Sequence, residues 1–195
     1  MPTLIEEIAE VEAITVKHLP DLFEIINGKV VETSPMSADS LAIANELGFH
    51  LSNHVHSNNL GRTYVEMIFQ IPLPDQKERG RRPDLAFVSF ARWPAGKPVP
   101  RVATWKVVPE LAVEVISRHD SVEELMDKVN EYFAVGVKLV WVIYPKQRWV
   151  HVFESVRQIR VLTHEDELDG GALFPGFRVS IASFLPEIQE EENED

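Results

Sequence analysis

Glu114 stands in the run Glu110–Ser117, ELAVEVIS, with Leu111, Ala112, Val113, Val115 and Ile116 around it. A carboxylate in a strand that is apolar on both faces is costly to desolvate unless it is paired, protonated or bound to a metal. Two readings stay open: a group that handles a metal or a proton, and a structural salt bridge inside the sheet. Asp84 is the second such residue. It follows Pro83, which fixes φ and blocks helix continuation, so it marks the entrance of the apolar run LAFVSF. Alone it reads as a turn residue. Together, on adjacent strands, Asp84 and Glu114 make a minimal oxygen-ligand set for Mg²⁺, which keeps several waters and needs only one or two carboxylates plus substrate phosphates.

Lys128 is the third. With Val122 at 0° on a helical wheel, Leu125, Met126, Val129, Tyr132 and Phe133 span about 280° to 40°, and Lys128 falls near about 240°. A lysine at that edge can run its stem along the sheet and bring its ammonium to Glu114; ordinary snorkelling to solvent is the alternative. Other chemistries lack their residues. There is no Cys, hence no thiol nucleophile, disulfide or Cys-based zinc site. His50 and His54 share an i, i+4 spacing on a helix but lack an HExxH pattern, and no Walker, GxGxxG or GxSxG motif is present.

These residues need elements to position them. FEIINGKVVET, residues 23–33, carries Asn-Gly between two β-prone runs and predicts a hairpin. Residues 37–56 predict a helix with Leu41, Ala44, Leu47, Gly48, Leu51 and Val55 on its buried face. Residues 62–71 alternate and predict one strand with Val65, Met67, Phe69 and Ile71 inward. Residues 4–13 and 15–22 predict short helices. Ser121 with Glu124 forms a capping box for a helix that Gly136 stops near Ala134. The order of strand 110–117, helix 121–134 and strand 138–144 is a crossover with parallel strands. The fold class is α/β, a central mixed sheet flanked by helices with an N-terminal hairpin.

Net charge is −12, from 19 Lys+Arg against 31 Asp+Glu. Half of that deficit is the tail, residues 187–195, with six acids and no base; it reads as a solvated end beyond one domain of residues 1–186. Residues 77–106 carry +6 and bracket Asp84, which suggests an anion-facing surface or a solvated basic loop. The acidic total argues against a protein that coats nucleic acid. No run is long enough to span a bilayer and the N-terminus lacks a basic leader, so no membrane partner and a cytoplasmic address are expected.

The ordered set RRPDLAFVSF, ELAVEVIS, EELMDKVNEYFAVGVKLVWVIYP, WVHVF and LFPGF, with FEIINGKVVETSP upstream, resembles the Uma-two family of endonucleases over roughly residues 20–185. That family has the restriction-endonuclease-like, PD-(D/E)XK fold. The resemblance implies a Mg²⁺- or Mn²⁺-dependent site for phosphodiester cleavage of DNA. It assigns Asp84 and Glu114, with the backbone carbonyl of Ile116, to the metal. Lys128 takes the role of the lysine that the superfamily usually carries two residues after the Glu, where this chain has Ile116. Arg81 and Arg82 are expected to hold flanking phosphates. Glu24 in the hairpin and Glu66 on the alternating strand are candidates for further acidic residues near the metal, with exposed strand carboxylates the favoured reading of each. The rival expectation is a nuclease fold without catalysis that acts as a binding or regulatory module. A homodimer is expected, with Trp93, Trp105 and Trp141 offering apolar surface.

Overall fold

The computed structural model describes residues 19–73, 79–117 and 120–187. The helices expected over 4–13 and 15–22 lie outside these residues, apart from 19–22, which are not helical. Lys77, Glu78 and the acidic tail beyond Glu187 lie outside them too.

The N-terminal hairpin forms as its turn residues require. β1 (Phe23–Ile26) and β2 (Lys29–Glu32) pair antiparallel, with Asn27 and Gly28 at φ of 54° and 74°. Two positive φ values are what a two-residue hairpin loop demands. α1 (Ala38–Ser57) follows and buries Ala44, Leu47, Gly48, Leu51 and Val55 as expected. Leu41 is exposed instead, and Ser40 and Ile43 take the inner face.

The alternating stretch 62–71 is not one strand. It divides into β3 (Gly61–Val65) and β4 (Phe69–Ile71), and Glu66 between them sits at φ 50°. That left-handed residue turns the chain out of one sheet and into another, although the period of two runs on through it. Val65 is exposed as a result. β5 (Arg79–Arg81) joins the hairpin, making a small sheet of order β2-β1-β5-β4. β6 (Leu85–Ser89), β7 (Leu111–Val115), β8 (Leu139–Tyr144), β9 (Trp149–Ser155) and β10 (Gln158–Leu162) complete the main sheet, ordered β10-β9-β8-β7-β6-β3. Only β7 and β8 are parallel there, joined by α2 (Val122–Ala134). Ser121 Oγ accepts from the Glu124 amide, and Gly136 at φ 94° ends the helix. β11 (Glu167–Gly170) pairs with β12 (Phe174–Ser180), and the short α3 (Ile181–Phe184) closes the described chain.

β7 divides its side chains between two cores. Leu111, Val113 and Val115 join α1 and the β12–α3 end, including Phe174, Phe177 and Phe184. Ala112 joins the α2 side with Leu125, Val129, Tyr132, Val140 and Phe153. Glu114 falls on that second side by the period of two. Trp141 and Trp105 are core residues, 0% and 1% exposed, so they are not the dimer surface expected from the sequence. Trp105 instead bridges to Phe69, and Trp93 packs edge-on against it.

Candidate active site

Asp84 and Glu114 come together because β6 and β7 are neighbours. The register pairs Leu85 with Val113, which sets Asp84 at the strand entrance beside Glu114. Asp84 Oδ2 accepts from the Val115 amide at 2.6 Å, and its backbone carbonyl accepts from the Glu66 amide at 3.2 Å. Burial pushes its carboxyl up to about 7, and the Glu114 charge beside it adds to the rise.

Glu114 is buried, and both its oxygens are held. Lys128 Nζ donates to Oε2 at 3.0 Å and Tyr132 Oη donates to Oε1 at 2.6 Å. One helical turn separates the two donors, so a single face of α2 supplies both. Burial raises the Glu114 carboxyl, and the Lys128 charge and the two hydrogen bonds oppose that rise. Burial acts to lower Lys128, but Glu114 and Glu24 outweigh it and raise the ammonium, which stays charged.

Glu24 is not an exposed strand carboxylate. It is 4% exposed and lies 3.4 Å from Lys128 Nζ. Arg81 Nη1 meets its Oε2 at 2.7 Å, and the Arg82 amide donates to its Oε1 at 3.0 Å. Burial acts to raise its carboxyl, but the charges of Lys128 and Arg81 prevail and hold it below its usual range. Glu131, one turn along α2 from Asp127, takes Arg81 Nε at 2.6 Å and Arg79 Nε at 2.9 Å. Arg81 is thus enclosed by two carboxylates, and only 6% of it is exposed. Arg82 is half-buried and donates to Thr33 Oγ1 at 2.9 Å.

Asp84, Glu114, Lys128, Glu24, Arg81 and Arg82 line one cleft of about 750 Å³ between the hairpin and the N-terminal half of α2, with Tyr132, Glu131 and Arg79 outside its lining. Ile116, Ser117 and Glu66 line it as well. Eight carboxylates and three basic side chains face it, so the cleft is acidic despite the +6 of the surrounding sequence. Much of that positive charge is spent internally: Arg92, for example, pairs with Glu110 and reaches the carbonyls of Val108 and Gly136. Sequence reading missed Tyr132 and Glu131 as members of the network, and for Glu24 it favoured the exposed carboxylate over the place near the metal. Tyr132 had a legible signal, four residues after Lys128 on the same face; Glu131 had none.

The donor set bears on a metal. The half-buried Asp84 and the buried Glu114 crowd each other at the ends of two neighbouring interior strands, and hard oxygen donors of this kind suit Mg²⁺ or Mn²⁺. Among the described residues no group of three or more His, Asp or Glu gathers as a complete cage. Two carboxylates are a partial donor set of the kind that Mg²⁺ completes with water and substrate oxygens.

A mixed sheet with a parallel pair at its centre, helices on both faces, and two strand-end carboxylates beside a helix-borne lysine defines a nuclease-like fold. The chain belongs to the Uma2 family, described as "Putative restriction endonuclease", which matches residues 8–182. A solved structure with the same fold is titled as that of "a putative nuclease belonging to DUF820 from Anabaena variabilis". It is 17% identical, with a TM-score of 0.71, and the alignment covers 94% of this chain and 98% of that one. No curated protein matches the chain. No helix of the described residues is long and apolar enough to cross a membrane.

Proposed function

We propose that the chain is a metal-dependent nuclease that hydrolyses phosphodiester bonds of DNA, with its site at Asp84, Glu114 and Lys128. The observation that carries this reading is the 3.0 Å contact of Lys128 with Glu114, beside Asp84 at the entrance of the next strand. This contact supports giving a lysine from the crossover helix the role of the superfamily's strand lysine, although position 116 is Ile. Asp84, Glu114 and the carbonyl of Ile116 would hold Mg²⁺ or Mn²⁺. When bound, the metal polarises a phosphate and lowers the pKa of a water.

The remaining roles belong to the chain itself. Lys128 keeps its charge and offers a donor for the attacking water or the developing negative charge. Tyr132 holds Glu114 in one orientation. Arg82, at the cleft wall, is the residue we assign to a substrate phosphate. Arg81 is given a positioning role instead, because both its faces are taken by Glu24 and Glu131.

One observation favours the rival reading of a binding module: carboxylates outnumber bases in the cleft by eight to three. A nicking assay on plasmid DNA and on circular single-stranded DNA separates the two. Wild type is expected to nick with Mg²⁺ or Mn²⁺ and not with EDTA, and Glu114→Gln is expected to abolish nicking while keeping a cooperative fold. A wild type that nicks nothing with either metal would leave the binding module.

A further inference from the structure

The main sheet continues beyond α2, and its α2-side face is left partly uncovered there. Register fixes which side chains share that face, because directly opposed residues in neighbouring strands point the same way. Glu114 opposes Val142, Val142 opposes His151, and His151 opposes Val161, so one row runs from the site to the sheet edge. The next row holds Tyr144 opposite Trp149. It begins at Ile116, which lines the cleft and whose amide bonds the Ile143 carbonyl next to Tyr144. Neighbouring strands are about 4.8 Å apart, so β9 lies about 10 Å from the strand bearing Glu114.

The face is aromatic and apolar where α2 no longer covers it. Trp149 is 43% exposed, Ile159 46% and Val161 54%. Tyr144 and His151 are half-buried, with ring centroids 4.5 Å apart. Trp149 differs from Trp105 and Trp141, which are sealed in cores.

Charge sets this face apart from the cleft. From Tyr132 to Phe153 the sequence contains no Asp or Glu, in a chain with 31 acids; of the cations near Trp149, Arg148 is turned to the Leu185 carbonyl on the other face, which leaves Lys146 for this one. Lys146 is exposed in the turn between Tyr144 and Trp149. Aromatic faces on a sheet beside a cation are the chemistry that holds unstacked bases and their phosphates.

We infer that the sheet face of Tyr144, Trp149 and His151 is a stacking platform for a single nucleic-acid strand running out of the cleft. The inference rests on the nuclease reading above and names its substrate class. A duplex presents about one charge per 1.7 Å of axis and meets the acidic cleft wall unfavourably. A single strand can turn its bases onto the platform and pass its phosphates by Lys146.

The test is fluorescence anisotropy of the full chain with a labelled 20-nucleotide single strand and a duplex of the same sequence. It is run in EDTA at low salt, so that no cleavage intervenes. Wild type is expected to prefer the strand, and Trp149→Ala to weaken it about tenfold, in line with stacking of one base. Trp149→Phe is expected to recover most of that loss. The platform is overturned if Trp149→Ala binds the strand as tightly as wild type, or if wild type binds no strand. It is also overturned if sedimentation shows a wild-type dimer that Trp149→Ala splits, since a second copy then covers the face. The nicking assay stands apart from these outcomes. Nicking with unchanged Trp149→Ala binding removes the platform alone, and strand binding lost in Trp149→Ala without any nicking removes the catalytic reading alone.

Discussion

Lys128 Nζ sits 3.0 Å from Glu114 Oε2, although the two residues are carried by different elements. The crossover brings them together: β7 ends, the chain turns at Ser121, and α2 lays its inner face back over the strand it has just left. The same lysine lies 3.4 Å from Glu24 on the hairpin. One ammonium therefore ties the main sheet, the crossover helix and the small sheet at a single point.

Removing that charge should be felt in stability as well as activity. Lys128→Met is expected to abolish nicking and to cost about 1–3 kcal/mol, since it leaves two buried carboxylates without their shared cation. A double-mutant cycle with Glu114→Gln by urea denaturation should give a coupling of about 1–3 kcal/mol. A coupling near zero would mean that the contact contributes nothing in solution.

Tyr132→Phe keeps the ring in its core beside Leu125 and Val129 and removes only the hydroxyl. Glu114 Oε1 then loses its donor. We expect a loss of about 1–3 kcal/mol in stability and a Mn²⁺ affinity weaker by about tenfold, the scale on which partners of metal ligands act. Calorimetric titration with Mn²⁺ measures the second effect without any substrate. Unchanged Mn²⁺ affinity would separate Tyr132 from the site.

Asp84 should leave a pH signature in the metal-free protein. Its folded carboxyl is raised to about 7 by burial, with Glu114 adding to the rise. Between about pH 4 and that value the folded state binds a proton that the unfolded chain does not. This contribution therefore lowers stability as pH rises through the window, and the full loss is reached above about 7. Asp84→Asn should flatten that part of the urea midpoint profile. Mg²⁺ should raise the wild-type midpoint more at pH 8 than at pH 5.5, because metal and proton compete for the same carboxylate. Parallel profiles for wild type and Asp84→Asn would show that Asp84 does not titrate this way.

Arg81 and Arg82 are adjacent and should behave differently. Arg81→Met breaks a buried network with Glu24 and Glu131 and is expected to cost about 3–5 kcal/mol. Arg82→Ala should cost under about 1 kcal/mol, because its amide contact with Glu24 survives. Its effect should fall on nucleic-acid binding and on the salt slope of that binding. Equal destabilisation by the two changes would contradict the burial difference.

Local signals in the chain were enough to locate most elements. Asn27-Gly28 announces the hairpin, Ser121 and Glu124 the start of α2, and Gly136 its end, because each meets a local backbone demand. Pattern alone also singled out Glu114 as a carboxylate among apolar neighbours, and the wheel put Lys128 at the right edge of its helix. Local pattern could not report which sheet a strand joins. Residues 62–71 keep their period of two across Glu66, yet that one left-handed residue sends the two halves to different sheets. It could not report pairing either. The basic run around Asp84 looked like an anion-facing surface, but Arg79, Arg81 and Arg92 turn inward onto Glu131, Glu24 and Glu110. Whether a charge meets solvent or a buried partner depends on contacts between residues from 18 positions apart, Arg92 and Glu110, to 57 apart, Arg81 and Glu24. Such contacts exist only once the sheets and the crossover helix have closed on one another, so the tertiary structure alone decided them.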